Sequence, residues 1–146
     1  MEKDTRFMVV CCVAILAALL VVGVVSHIVI RHAVQTSVLW IAMALGMRNS
    51  KLTKWAALPC FAFWLALMAA IWSFLLGWTS FLSGTFSPTE IAMTIIVGLA
   101  SLGGMIRAVS IKSGALAVRA TATVLVVLTL QVVVFRLSML PQIARH

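Results

Sequence analysis

Acidic side chains are nearly missing from this chain: Glu2, Asp4 and Glu90 are the only three, and none lies inside a long apolar run. Proton relays in membranes are built from carboxylates and histidines at membrane depth, and hydrolytic chemistry needs a positioned acid or base. Proton-coupled transport and intramembrane hydrolysis are therefore poor fits. Cysteine offers no chemistry either. Cys11, Cys12 and Cys60 do not form a C-x-x-C pair, and each sits in an apolar segment as a small hydrophobe. No glycine-rich phosphate cradle or dinucleotide fingerprint is present, and Gly103-Gly104 reads as a packing feature of a helix. A nucleophile would need a base and a third group to orient it. The chain has serines and His27 but no acid within an apolar run to complete the set. The expectation is a protein that is not an enzyme.

Histidine is sparse as well. His27 and His32 are five positions apart, so one straight helix would aim them in different directions, and the third histidine is the terminal His146. A haem at His27 or His32 is not expected, and a metal would lack cysteine or carboxylate partners. The net charge of +8 raises the question of nucleic acid, but no basic run exceeds a few residues, so none is expected. Lys and Arg of cytoplasmic loops, facing anionic headgroups, explain that charge more simply.

What the chain does have is apolar length. Apolar residue types fill 64% of 146 positions and charged ones 10%, too little polar surface to cover a soluble domain. A crossing takes about 20 helical residues, and backbone groups in lipid must bond within their own segment. No alternating pattern of β-barrel strands appears. The fold class expected is an all-α membrane protein: a bundle of four to five transmembrane helices in a single polytopic domain over residues 1–146. Spans are expected at about 7–27, 55–78, 88–108 and 115–137. The first follows Lys3 and Arg6 like a secretory signal, but it is too long for one and no cleavage site follows, so an uncleaved span is expected.

The segment 28–47 is ambiguous. Arg31, His32, Gln35 and Thr36 open it, and only Val38 to Met47 is clean. It reads as a fifth span with a polar cap, a re-entrant helix or an interfacial helix. Charge bias favours five spans with the amino end inside. Lys3, Arg6, Arg48, Lys51, Lys54, Arg107, Lys112 and Arg119 are then cytoplasmic, and Arg31, Arg136 and Arg145 outside. Four spans would place Lys3 and Arg6 on the wrong side. The location expected is a bacterial inner membrane, with the carboxyl end outside.

Small residues mark candidate helix contacts. Ala62, Ala66, Ala69, Ala70, Ser73 and Gly77 recur at spacings of three and four in the third span, and Thr94, Gly98, Ser101, Gly104 and Ala108 in the next. Such faces permit close backbone approach. Trp55 and Trp78, about 34 Å apart along a helix, match anchors at the two interfaces. Ser87-Pro88-Thr89-Glu90 reads as a capping box with proline at the first helical position. Gln131, polar within a clean span, should bond across helices.

Two functions follow. The leading expectation is a non-catalytic accessory or assembly subunit, packing through its small-residue faces against itself or a larger membrane complex. The alternative is a small oligomeric channel or transporter for an anion or neutral solute. Its polar vestibule would be formed by His27, Arg31, His32 and Gln35. The scarcity of acids argues against cation selectivity.

Overall fold

The computed structural model describes residues 2–79 and 85–144 of the chain. Five long helices follow one another: α1 (Lys3–Val25), α2 (Val29–Met47), α3 (Thr53–Leu75), α4 (Pro88–Ser110) and α5 (Ala117–Ser138). A short α6 (Pro141–Ala144) closes the described chain. All five long helices are long and apolar enough to cross a membrane, and the protein is an all-helical membrane bundle.

The ambiguous segment resolves at its first turn. After α1, Ser26 caps the helix and His27 takes a left-handed conformation at φ 55°. The His27 N–H then donates to the Val24 carbonyl at 3.3 Å and the Ile28 N–H to the Gly23 carbonyl at 2.8 Å. This is a Schellman reversal, and α2 starts at once, beginning with Val29. Its 19 residues span roughly 28 Å, and the helix packs against α1, α3 and α5. The polar residues that made it look short are turned inward: Gln35 and Thr36 are buried. The Thr36 hydroxyl donates to the carbonyls of His32 and Ala33, both 3.0 Å away. Hydropathy alone undervalued the segment because its polar groups avoid lipid by facing protein.

Two other helices end by the same device. Asn49, at φ 49°, terminates α2, with the Ser50 N–H on the Leu45 carbonyl at 3.0 Å. Gly77, at φ 75°, terminates α3, with the Trp78 N–H on the Ser73 carbonyl at 2.9 Å. The third helix therefore stops at Leu75, earlier than composition suggested, and Trp78 lies just past its end, 76% exposed. Its start at Thr53 leaves Pro59 at the seventh helical residue, where the donor to the Trp55 carbonyl is missing.

Contacts at the two ends show that successive helices alternate in direction. At one end Asp4 of α1 pairs with Arg107 of α4 at 3.2 Å. There too the Lys54 ammonium donates to the Val109 carbonyl at 2.7 Å, and the Trp55 indole to Ser113 at 2.9 Å. At the other end the α1–α2 turn, the start of α4 and the end of α5 meet. Between them lies a packed middle in which Cys12, Ile15, Leu39, Phe61 and Trp64 are fully buried. Thr94, Val97, Ser101, Gly104 and Ala108 give α4 its inward face against α1 and α3. The Phe61 ring lies where a Gly104 side chain would project, so only glycine fits that level. Helix α5 is the most outward, with Val118 81% exposed.

Candidate functional site

A cavity of about 540 Å³ lies at the end of the bundle opposite the Asp4–Arg107 pair, and every long helix contributes to its wall. That volume is within the range of small-molecule sites, roughly 300–1,000 Å³. Its polar side is made by Arg31, His32 and Gln35 of α2, facing Glu90 and Thr94 of α4. Its apolar side includes Leu67, Met68 and Ile71 of α3 with Met93 and Val97 of α4. Trp64 lines it too and is completely buried.

Each polar residue is positioned by local structure. Arg31, His32 and Gln35 are one and four apart, which puts them on one arc at the start of α2. Gln35 is held from the far side: its amide donates to the Ser138 hydroxyl of α5 at 3.0 Å. The Ser138 hydroxyl in turn donates to the Phe135 carbonyl at 2.7 Å. The buried Gln131 amide leans toward the Gln35 backbone carbonyl at 3.5 Å. A bond between helices of this kind contributes about 0.6 kcal/mol on average.

Glu90 is fixed by three hydrogen bonds with two neighbours, Ser87 and Ser26. Ser87 and Glu90 form both halves of a capping box: the Glu90 N–H donates to the Ser87 hydroxyl at 3.2 Å, and the Ser87 N–H to Glu90 Oε2 at 2.7 Å. The Ser26 hydroxyl of the α1–α2 turn donates to the other carboxylate oxygen, Oε1. The positive end of the α4 dipole adds to this. The carboxylate thus caps a helix and ties α4 to the first turn while lining the cavity.

Arg31 stands in contrast. Its guanidinium donates from Nη2 to the thioether sulfur of Met139 at 3.0 Å, a weak acceptor. Arg31 Nε, His32 Nδ1 and Trp64 Nε1 are buried with no hydrogen-bond partner among the described residues. Groups of this kind cost of order 1–3 kcal/mol when left unsatisfied. All three belong to residues on the cavity wall.

The residues singled out by sequence are distributed unevenly. Arg31, His32 and Gln35 converge on the cavity, whereas His27 does not line it and is an exposed turn residue whose left-handed backbone ends α1. Of the two small-residue faces, Thr94, Ser101, Gly104 and Ala108 are buried within the bundle, and Gly98 is half-buried beside Met68. The α3 face does not pack inward. Ala62, Ala66 and Ala69 are exposed, Ala70 and Ser73 half-buried, and Gly77 lies beyond the helix end as its cap. The inward side of α3 is instead the Phe61, Trp64 and Met68 side. Arg145 and His146 lie outside the described residues. Sequence reading missed Trp64, Thr94 and Ser138 as neighbours of the site. The clue available was the i, i+3, i+4 relation of Glu90, Met93, Thr94 and Val97, which places all four on one side of α4.

Among the described residues, no three His, Cys, Asp or Glu side chains come together as metal ligands. Comparison with protein families, characterised proteins and solved structures gave no match.

Proposed function

We propose that this chain is a small, non-catalytic integral membrane protein that receives a neutral or anionic solute in the cavity at one end of its bundle, as the first station of a transport path. The observation that carries this reading is the convergence of Arg31, His32 and Gln35 with Thr94 around about 540 Å³, with buried polar atoms left without partners among the described residues. Below the cavity Ile15, Leu39 and Phe61 are fully buried. Passage further into the bundle requires the helices to separate, so the reading is a gated carrier and not an open pore. By charge bias the end with Lys3, Arg48, Lys54 and Arg107 is cytoplasmic, and the cavity opens on the opposite side of a bacterial inner membrane.

Water access tests it. In membranes carrying Thr94→Cys, a membrane-impermeant maleimide is expected to label the cavity cysteine. Ile96→Cys, on the outward side of α4, should stay unlabelled, and so should the native chain with its three buried cysteines. Thr94→Cys as inert as Ile96→Cys would remove the solute-site reading.

A second reading has its own support. Ala62, Ala66 and Ala69 form an outward small-residue face on α3 that the bundle does not use, which fits an accessory subunit packing against itself or a larger membrane complex. Ala66→Leu should then reduce the size of the native complex in mass spectra of gently extracted membranes. An unchanged assembly in Ala66→Leu would dismiss it.

A further inference from the structure

We infer that the ligand of the cavity is an anionic amphiphile, its acidic head bound at Arg31 and its apolar body lying toward Trp64. The inference rests on the reading of the cavity as a solute site and goes further by naming the chemistry that fills it.

The charge arrangement supplies the sign. Among the described residues Glu90 is the only carboxylate on the cavity wall, and both its oxygens already accept bonds, one from the Ser26 hydroxyl and one from the Ser87 N–H. Arg31 has no such partner: among the described residues the single ion pair is Asp4 with Arg107, at the far end of the bundle. Arg31 lines the cavity, and its guanidinium has a thioether as its one side-chain acceptor among the described residues. Glu90 keeps its charge, but its oxygens are held by Ser26 and Ser87, so the Arg31 guanidinium is the group on the wall left to pair with an incoming oxyanion. A bidentate oxyanion suits the planar guanidinium fork best. His32, adjacent in the same wall, extends the polar head site.

The wall composition supplies the rest. Beyond Arg31 and His32 the lining is largely apolar, with Leu67, Met68, Met93 and Val97. A small hydrated anion would leave that surface wet, whereas an alkyl body covers it at about 0.8 kcal/mol per buried methylene. The methionines suit a flexible chain, because their unbranched thioethers adapt to varied shapes. Trp64, completely buried in the same wall, gives the alkyl body an aromatic surface to lie against.

The test uses the full chain in phosphatidylcholine vesicles, with Thr94→Cys as the reporter. Three probes are compared: dodecanoate, dodecanol as its uncharged counterpart, and phosphatidylglycerol mixed into the vesicles. The expected result is that an anionic probe slows maleimide labelling of Thr94→Cys while dodecanol does not. Adding Arg31→Ala should raise the half-protecting concentration about tenfold or more, the loss of one charge-assisted hydrogen bond. Arg31→Lys should recover part of it, which separates a charge effect from a folding defect. A terminally brominated dodecanoate should quench the fluorescence of a variant retaining Trp64 as its only tryptophan. Protection by dodecanoate identifies a free single-chain amphiphile, and protection by phosphatidylglycerol alone identifies a bilayer lipid. Equal protection by dodecanol, or protection indifferent to Arg31→Ala, overturns the inference. So does a labelled cysteine that neither anion protects, an outcome that leaves the solute-site reading standing. A cysteine unlabelled without any probe removes that reading and the inference with it.

Discussion

Two residues show how far a side chain's sequence context misleads about its role. His27 sits beside Arg31 and His32 in the sequence and carries a titratable ring, yet its backbone at φ 55° is what the fold uses. A non-glycine residue in that conformation carries a steric cost. His27→Gly is accordingly expected to raise stability by several tenths of a kcal/mol up to about 1 kcal/mol, readable as a later thermal or denaturant midpoint. The same variant should leave Thr94→Cys labelling and its protection by amphiphiles unchanged. A loss of either would return His27 to the site. Glu90 is the opposite case. Its capping motif was legible in the sequence, while its tie to Ser26, 64 residues earlier in the chain, was not, because tertiary proximity leaves no local signal.

Helices that are apolar on all sides hide which side packs, and this limited what could be read at the scale of elements. In a soluble helix the polar face marks the outside. In α3 both faces are apolar, so the small residues Ala62, Ala66 and Ala69 mark a candidate contact face without saying whether its partner lies inside or outside the bundle. Within the bundle α3 packs through the bulkier side bearing Phe61, Trp64 and Met68. In α4 small residues and burial coincide, since Gly104 must pass under the Phe61 ring. Gly104→Ala is therefore expected to cost about 1–3 kcal/mol through overpacking. Gly98→Ala, whose added methyl would meet Met68 at an ordinary 4.0 Å, should be close to neutral. Unfolding of the two variants in the same detergent checks the contrast, and equal stability would contradict the packing described for α4. The existence of α2 was harder to read than either. Arg31, His32, Gln35 and Thr36 lower its hydropathy, and only the fold reveals that Gln35 and Thr36 are buried within the bundle, where α2 packs against α1, α3 and α5.

At the scale of the whole molecule the charge is strongly polarised. Lys3, Arg6, Arg48, Lys51, Lys54, Arg107, Lys112 and Arg119 belong to the helix ends and turns at one end, and Arg31, Glu90 and Arg136 to the other. Helix direction and charge bias agree on an odd number of crossings. The cavity occupies the end poor in positive charge, where an unpaired Arg31 is not competing with a crowd of basic neighbours for an incoming anion. Cavity, helix count and orientation are thus tied together, and one measurement reaches all three. In a chain carrying either Thr94→Cys in the cavity or Gly114→Cys in the exposed turn before α5, an impermeant maleimide is applied separately to intact cells and to inside-out vesicles. Five crossings with an outward-opening cavity predict that Thr94→Cys reacts only in intact cells and Gly114→Cys only in inside-out vesicles. Labelling of both from the same side, or of Thr94→Cys from the cytoplasmic side alone, would contradict it.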